Sequence, residues 1–258
     1  MKEHSKFKSM KPLQSDSPGD VTVGDIMFVE HTKNIKKPLM IHVDVFTKFM
    51  IGVILKDRTE DECTNAILQI KEAYRRNNYD LKQLVFDRKP GIVPTEDKLL
   101  MNGIELKLKA AGQKVGLAEV SIRLVRDKAR ATKAGVRAKF EYLPPNQFNL
   151  DLCLDSISVL NRLPKQDNEK TPHEIFTITE TDFMRDFRVE WGEPVVVKKP
   201  KCIASNLKVT GQWGVVVRQI MNGTGVLKVY LVQSKKYAYR LHFMHAVAPE
   251  WVLESLKT

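Results

Sequence analysis

The 258-residue sequence is short of cysteine, has no long apolar run and carries fewer acidic than basic residues. Its three cysteines, Cys63, Cys153 and Cys202, lie far apart and form no Cys-x-x-Cys pair, which argues against a disulfide framework and a cysteine-based zinc site. The six histidines do not supply the missing ligands, because none stands at finger-like spacing from a cysteine; His242 and His245 read as strand-end residues. No apolar stretch approaches the ~20 residues needed to cross a bilayer, and the basic start from Met1 to Lys11 lacks the apolar centre of a secretion signal. These absences predict a protein of a reducing, intracellular compartment, neither secreted nor membrane-inserted.

What is present is basic charge on an otherwise ordinary globular composition. Forty-two Lys and Arg against 31 Asp and Glu give a formal charge of +11, which favours a polyanionic partner, nucleic acid first. A solvated basic surface is the competing account of that excess. A hydrophobic content of 43% is enough for a buried core, and the length suits one large domain and a small one.

Residues 1–20 are rich in Lys, Ser and Pro without apolar periodicity and read as a basic, flexible lead-in. From Val21 the β-branched and aromatic runs Val21–Val29, Leu39–Phe49 and Met50–Leu55 predict three strands in an antiparallel meander, with His31–Pro38 as the first break. Thr59-Glu-Asp-Glu62 is a capping-box pattern opening an amphipathic helix that ends near Asn77 and Asn78. Leu81–Phe86 is a strand closed by Asp87. A short helix over Thr95–Asn102 and a strand over Ile104–Leu108 follow. The glycine-bearing segment from Ala110 to Gly116 reads as a loop into a helix over Leu117–Lys133, with another helix over Gln147–Leu163. The order is βββαβαβαα. Beyond Trp191 the runs Pro194–Val197, Trp213–Gln219, Val226–Leu231 and Tyr237–Phe243, with a hairpin turn at Asn222–Gly225, predict a small β-barrel-like module.

Three carboxylates stand out against this layout. Asp25 interrupts the apolar run from Val23 to Val29, where a carboxylate is costly unless paired or metal-bound. Asp87 ends a strand that a right-handed crossover returns beside the first one, so the two aspartates can be neighbours. Glu119 leads a helical face that continues through Arg123, Arg126 and Arg130, opposite an expected core face of Leu117, Val120, Leu124, Val125 and Ala129. A plain ion pair between Glu119 and Arg123 across one turn is the alternative reading. Two-metal phosphoryl transfer uses hard oxygen ligands of this kind, holding two divalent cations ~3.5–4 Å apart.

The chain resembles the integrase region of copia-like LTR retrotransposons from about Val21 to about Glu250. Asp25-Ile-Met-Phe-Val29 looks like that family's first-carboxylate strand. Val43-Asp-Val-Phe-Thr-Lys-Phe49 looks like its second strand, in which Asp44 is structural. Asp87 matches the second carboxylate, and Gly112-Gln-Lys-Val-Gly-Leu-Ala-Glu119 resembles the loop and helix bearing the third. Thirty-one residues separate Asp87 from Glu119, close to the spacing typical of DDE integrases. Asn161-Arg-Leu-Pro164, Thr171-Pro-His-Glu-Ile-Phe176 and Trp191-Gly-Glu-Pro-Val195 resemble segments downstream of such cores. Arg88-Lys89-Pro90 stands where the family has Asn-Gly or Gly, and Gly116 where proline is common; an arginine there would contact DNA or crowd the metals. Glu30 is the rival to Asp25 for the first carboxylate. The His-His-Cys-Cys zinc module that precedes such cores is missing, so the chain is expected to be a fragment or a truncated descendant.

The resemblance implies an α/β fold: an RNase H-like mixed five-stranded sheet with flanking helices over 21–182, then the small all-β barrel-like domain over 183–258. It implies Asp25, Asp87 and Glu119 as catalytic, metal-binding residues for a pair of Mg²⁺ or Mn²⁺ ions. It further implies 3′-end processing and strand transfer on element ends and target DNA, homo-oligomers, and residence in the nucleus or a cytoplasmic particle. Lys114, Arg123 and Arg126 are the candidate phosphate contacts. The basic residues of the C-terminal module, among them Lys198, Arg218, Lys228, Lys235, Lys236 and Arg240, are consistent with a second DNA surface. A catalytically inactive, integrase-derived DNA-binding protein and an assembly scaffold are the two alternatives.

Overall fold

The computed structural model describes residues 13–109, 116–164, 169–198, 211–221 and 224–256. The first half forms β1 (Thr22–Thr32), β2 (Ile35–Asp44), β3 (Met50–Ile54), α1 (Glu60–Arg75), β4 (Gln83–Asp87), α2 (Glu96–Met101), β5 (Glu105–Lys109), α3 (Gly116–Phe140) and α4 (Asn149–Asn161). The expected order of strands and helices is therefore present. One five-stranded sheet runs β3-β2-β1-β4-β5, with β1 to β3 antiparallel and β4 and β5 parallel to β1.

Strand parity divides the core into two layers. Val23, Met27 and Val29 of β1, with Leu39, Ile41 and Val43 of β2 and Val85 of β4, face α3 and α4. Ile26, Met40, Leu84 and Phe86 face the opposite way, onto Ile67, Ile70 and Tyr74 of α1. Burying each such side chain contributes roughly 1.5–3 kcal/mol, which fixes the register, because a one-residue slip would exchange the two layers. Thr59 caps α1 by accepting from the Glu62 amide.

Several boundaries differ from those expected. The break at His31–Pro38 shrinks to a turn at Lys33 and Asn34, with Asn34 at φ +69°, a left-handed conformation asparagine tolerates. Pro38 lies inside β2, where its carbonyl accepts the Leu55 amide at 3.0 Å just past the end of β3, so its missing N–H falls at the last step of that ladder, where strand proline is tolerated. Helix α3 runs to Phe140 and buries Ala118, Ser121, Ile122, Val125, Ala129 and Val136, while Val120 and Leu124 are exposed. Of the expected face Val125 and Ala129 are buried and Leu117 packs against the core, whereas Val120 and Leu124 are not, so the core face is rotated toward Ala118, Ser121 and Ile122.

After α5 (Pro172–Thr177), opened by a capping box of Thr171 and Glu174, and α6 (Phe183–Asp186), the chain builds a second sheet. Its strands are β6 (Pro194–Lys198), β7 (Gly211–Gln219), β8 (Leu227–Leu231), β9 (Lys236–Arg240) and β10 (Phe243–His245), followed by α7 (Glu250–Glu254). The order is β10-β6-β7-β8-β9, all antiparallel. The expected strand Tyr237–Phe243 is split, and its halves lie on opposite edges. A flat sheet of five strands would hold those edges about 19 Å apart, whereas the link from Arg240 to Phe243 reaches only about 11 Å. The sheet must therefore curl into a barrel-like form around Val195, Val197, Val216, Leu227 and Val229.

Its other face packs on the first unit. Val215, Val217 and Tyr230 join Ala129 and Val136 of α3 and Leu152 of α4, and the Trp191 indole N–H donates to the Val217 carbonyl at 2.7 Å. Polar contacts reinforce the junction: Lys228 Nζ bonds Asp151 at 2.7 and 2.8 Å, and Arg162 pairs with Asp186 at 3.0 Å, both side chains nearly buried. Cys63 and Cys153 are buried free thiols, and Cys202 lies outside the described residues. Among the described residues no helix is long and apolar enough to cross a membrane.

Candidate active site

The parity that sorts the core also sets the carboxylates. On β1, Asp25 alternates with Val23 and Met27 and so faces α3; on β4, Asp87 follows Val85 by two and faces the same way. The parallel register aligns Gly24 with Phe86, so Asp25 and Asp87 continue it as the next pair along. Glu119 lies in the first turn of α3, next to buried Ala118, which packs on this face of the sheet. The charges of Asp25 and Glu119 both reach Asp87. Its carboxyl is held above the ordinary range, first by burial and then by the Asp25 charge, with Glu119 adding to the rise and Lys89 and Lys109 opposing it. The structure thus brings the three predicted carboxylates to one end of the β1–β4 pair.

Glycine at position 24 is what lets β4 lie close there. A Cβ on Gly24 would fall 2.2 Å from Cε2 of Phe86, the residue before Asp87. Asp44, by contrast, is withdrawn from the site. It accepts bonds from the Gly19 amide at 2.8 Å, the Thr47 amide at 2.6 Å, the Thr47 hydroxyl at 2.8 Å and the Tyr74 hydroxyl at 3.3 Å. Glu30 sits five residues further along β1, where it accepts from the Asn146 side chain at 3.1 Å, and it is not among the charges acting on Asp87.

Of the candidate phosphate contacts, Arg123 and Arg126 are exposed on α3, and Lys114 lies outside the described residues. In the second unit Lys198, Lys235 and Lys236 are exposed. Lys228 is committed to Asp151 and lies over the Tyr237 ring, and Arg218 approaches buried Asp155, so neither is a free surface cation. His245 pairs with Glu193 at the end of β10, as a strand-end residue.

One residue of the site was not singled out from the sequence. Arg88, the expected intruder, points into solvent; Lys89 turns inward. Its ammonium donates to Asp25 Oδ1 and to the Ile26 carbonyl at 3.4 Å, while the Ile26 amide donates to the same Oδ1 at 2.7 Å. No strand alternation signalled it, because β4 ends at Asp87 and Lys89 belongs to the turn that follows.

By type, the carboxylate oxygens are those a hard divalent cation takes, and among the described residues Asp87 Oδ1 is buried without a hydrogen-bond donor. Yet among the described residues no three His, Cys, Asp or Glu side chains stand close enough to hold one ion together. Positive charge at the site comes from Lys89, which is bonded to Asp25, and from Lys109, which acts on Asp87.

No family model and no curated protein matches the chain. Solved structures do. An intasome of simian T-cell lymphotropic virus aligns over 90% of this chain and 80% of its own, at 16% identity and a TM-score of 0.50. The HTLV-2 integrase catalytic core in complex with magnesium aligns over 62% of this chain and 97% of its own, at 20% identity and a TM-score of 0.47. The BIV integrase catalytic core aligns over 61% and 93%, at 17% identity and a TM-score of 0.44. With the observed strand order, the first of these likenesses identifies the fold as an RNase H-like mixed sheet with flanking helices, followed by a small all-β unit.

Proposed function

We propose that the chain is an integrase-like polynucleotidyl transferase of a copia-like LTR retrotransposon lineage, acting in DNA 3′-end processing and strand transfer. The observation that carries this reading is the convergence of Asp25, Asp87 and Glu119 on the side of the sheet toward α3, within an integrase fold. Asp25, Asp87 and Glu119 would hold Mg²⁺ or Mn²⁺, which on binding supplies charge neutralisation at the attacking and leaving oxygens. The chain's own contribution is positional. Buried Phe86 and Ala118 fix the backbones beside Asp87 and Glu119, while Arg123 and Arg126 offer exposed cations to backbone phosphates on the same helix. Element ends and target DNA are the partners of this reading, homo-oligomers its working form, and the nucleus or a cytoplasmic particle its setting. The unit boundaries that go with it are 21–182 and 183–258.

The test is nicking and joining of a labelled duplex with Mn²⁺ by the wild type, Asp87→Asn and Glu119→Gln. Joining by the wild type that both substitutions abolish is the expected result. A second reading, a non-catalytic DNA-binding descendant, is favoured by the Lys89–Asp25 pair. It predicts no joining, with duplex affinity equal in all three proteins and falling by roughly 10³–10⁵ between 50 and 200 mM salt if ~6–10 phosphates are contacted.

A further inference from the structure

We propose that Lys89 takes the place a cation would hold on Asp25, so that its ammonium competes directly with divalent metal for that carboxylate. The proposal rests on the reading of Asp25, Asp87 and Glu119 as a metal-binding set and adds the residue that controls access to it.

Two observations carry it. The first is commitment: the ammonium is bonded to Asp25 Oδ1 and directed at the Ile26 carbonyl, with Asp25 only 15% and Lys89 only 27% exposed. A surface lysine with free rotamers would rarely be this enclosed, because ordering its long side chain is opposed by entropy. The second is anchorage. The Lys89 carbonyl accepts from the amides of Ile92 at 2.9 Å and Val93 at 3.1 Å, so the turn after β4 fixes the backbone from which the side chain reaches back over β1.

An ammonium and a divalent cation cannot share this volume. A lysine has three donors and no acceptor, and its charge at contact distance from Asp25 repels any ion approaching the same oxygen. Binding of metal therefore requires Lys89 to swing away, and the energy of the Lys89–Asp25 pair is subtracted from the metal's affinity.

The experiment is calorimetric titration of Mn²⁺ into the full chain, as wild type, Lys89→Met and Lys89→Gln, each also carrying Asp87→Asn. Circular dichroism melting confirms that each variant is folded. Loss of the competing charge should tighten Mn²⁺ binding roughly tenfold or more, with either neutral substitution, and Asp87→Asn should remove the gain. A wild type that binds no Mn²⁺ while Lys89→Met or Lys89→Gln does would make the lysine a standing replacement for the metal, and still supports the proposal. Equal, Asp87-dependent affinity in wild type and both neutral variants would overturn it while leaving the carboxylate assignment intact. Absence of Asp87-dependent binding in every protein would overturn both.

Discussion

Asp155 offers a quantitative test of how the two units are joined. It projects from α4 into the junction, fully buried, and its carboxylate accepts the Gln219 amide of β7 at 3.3 Å. Burial pushes its pKa up from 3.8 to about 6, against the opposing pull of the Gln219 hydrogen bond, Arg218 and Lys128, and with a small rise from Asp151. A carboxyl whose folded pKa exceeds its unfolded one favours folding most when protonated. Its contribution declines as pH rises through about 4 to 6 and then levels off. At 1.36 kcal/mol per unit, ionised Asp155 costs the folded state roughly 3 kcal/mol at pH 8 and about half that at pH 5. Asp155→Asn keeps an acceptor for Gln219 and removes the charge. The variant should therefore be more stable than wild type at pH 8, with the advantage shrinking by ~1.4 kcal/mol at pH 5. Urea unfolding at both pH values, followed by fluorescence of buried Trp191, measures the difference. An advantage of equal size at the two pH values would show that Asp155 is not a raised, buried carboxyl, and the argument would fail.

Other substitutions probe the frame around the site. Gly24→Ala drives a methyl into Phe86 and should cost ~1–3 kcal/mol; it should also reduce joining at temperatures where the variant is folded, because Phe86 carries Asp87, and an unchanged melting temperature would contradict the close approach. Asp44→Ala strands the donors of Gly19, Thr47 and Tyr74 and should destabilise by about 3 kcal/mol or more. DNA affinity should persist in that variant wherever it is folded, and selective loss of binding would give Asp44 a site role. Arg162→Met leaves Asp186 buried with only Arg185 as its ionic partner, so a loss of ~3–5 kcal/mol is expected in thermal unfolding.

What the sequence reveals here depends on whether a feature repeats along the chain or arises from how segments meet. The order of strands and helices was legible because each element carries its own periodic signal, and Asp25 and Asp87 stood out because charge is costly in apolar strands. Pro38 misled for the opposite reason: its meaning depends on where β3 stops, a fact held by Leu39 and Ile54 on another segment. The rotated face of α3 is similar. Val120 and Leu124 stay exposed while Ala118, Ile122 and Val125 pack on the sheet and Ala129 on the second unit, so the buried face is set by what the helix meets on other segments. Lys89 belongs to the second kind: its bond to Asp25 crosses 64 residues and exists only once β4 lies beside β1. It stands two residues from one carboxylate in sequence and is bound to another in space. A motif scan along the chain registers Lys89 as a departure from pattern, whereas the register of the parallel pair makes it part of the site.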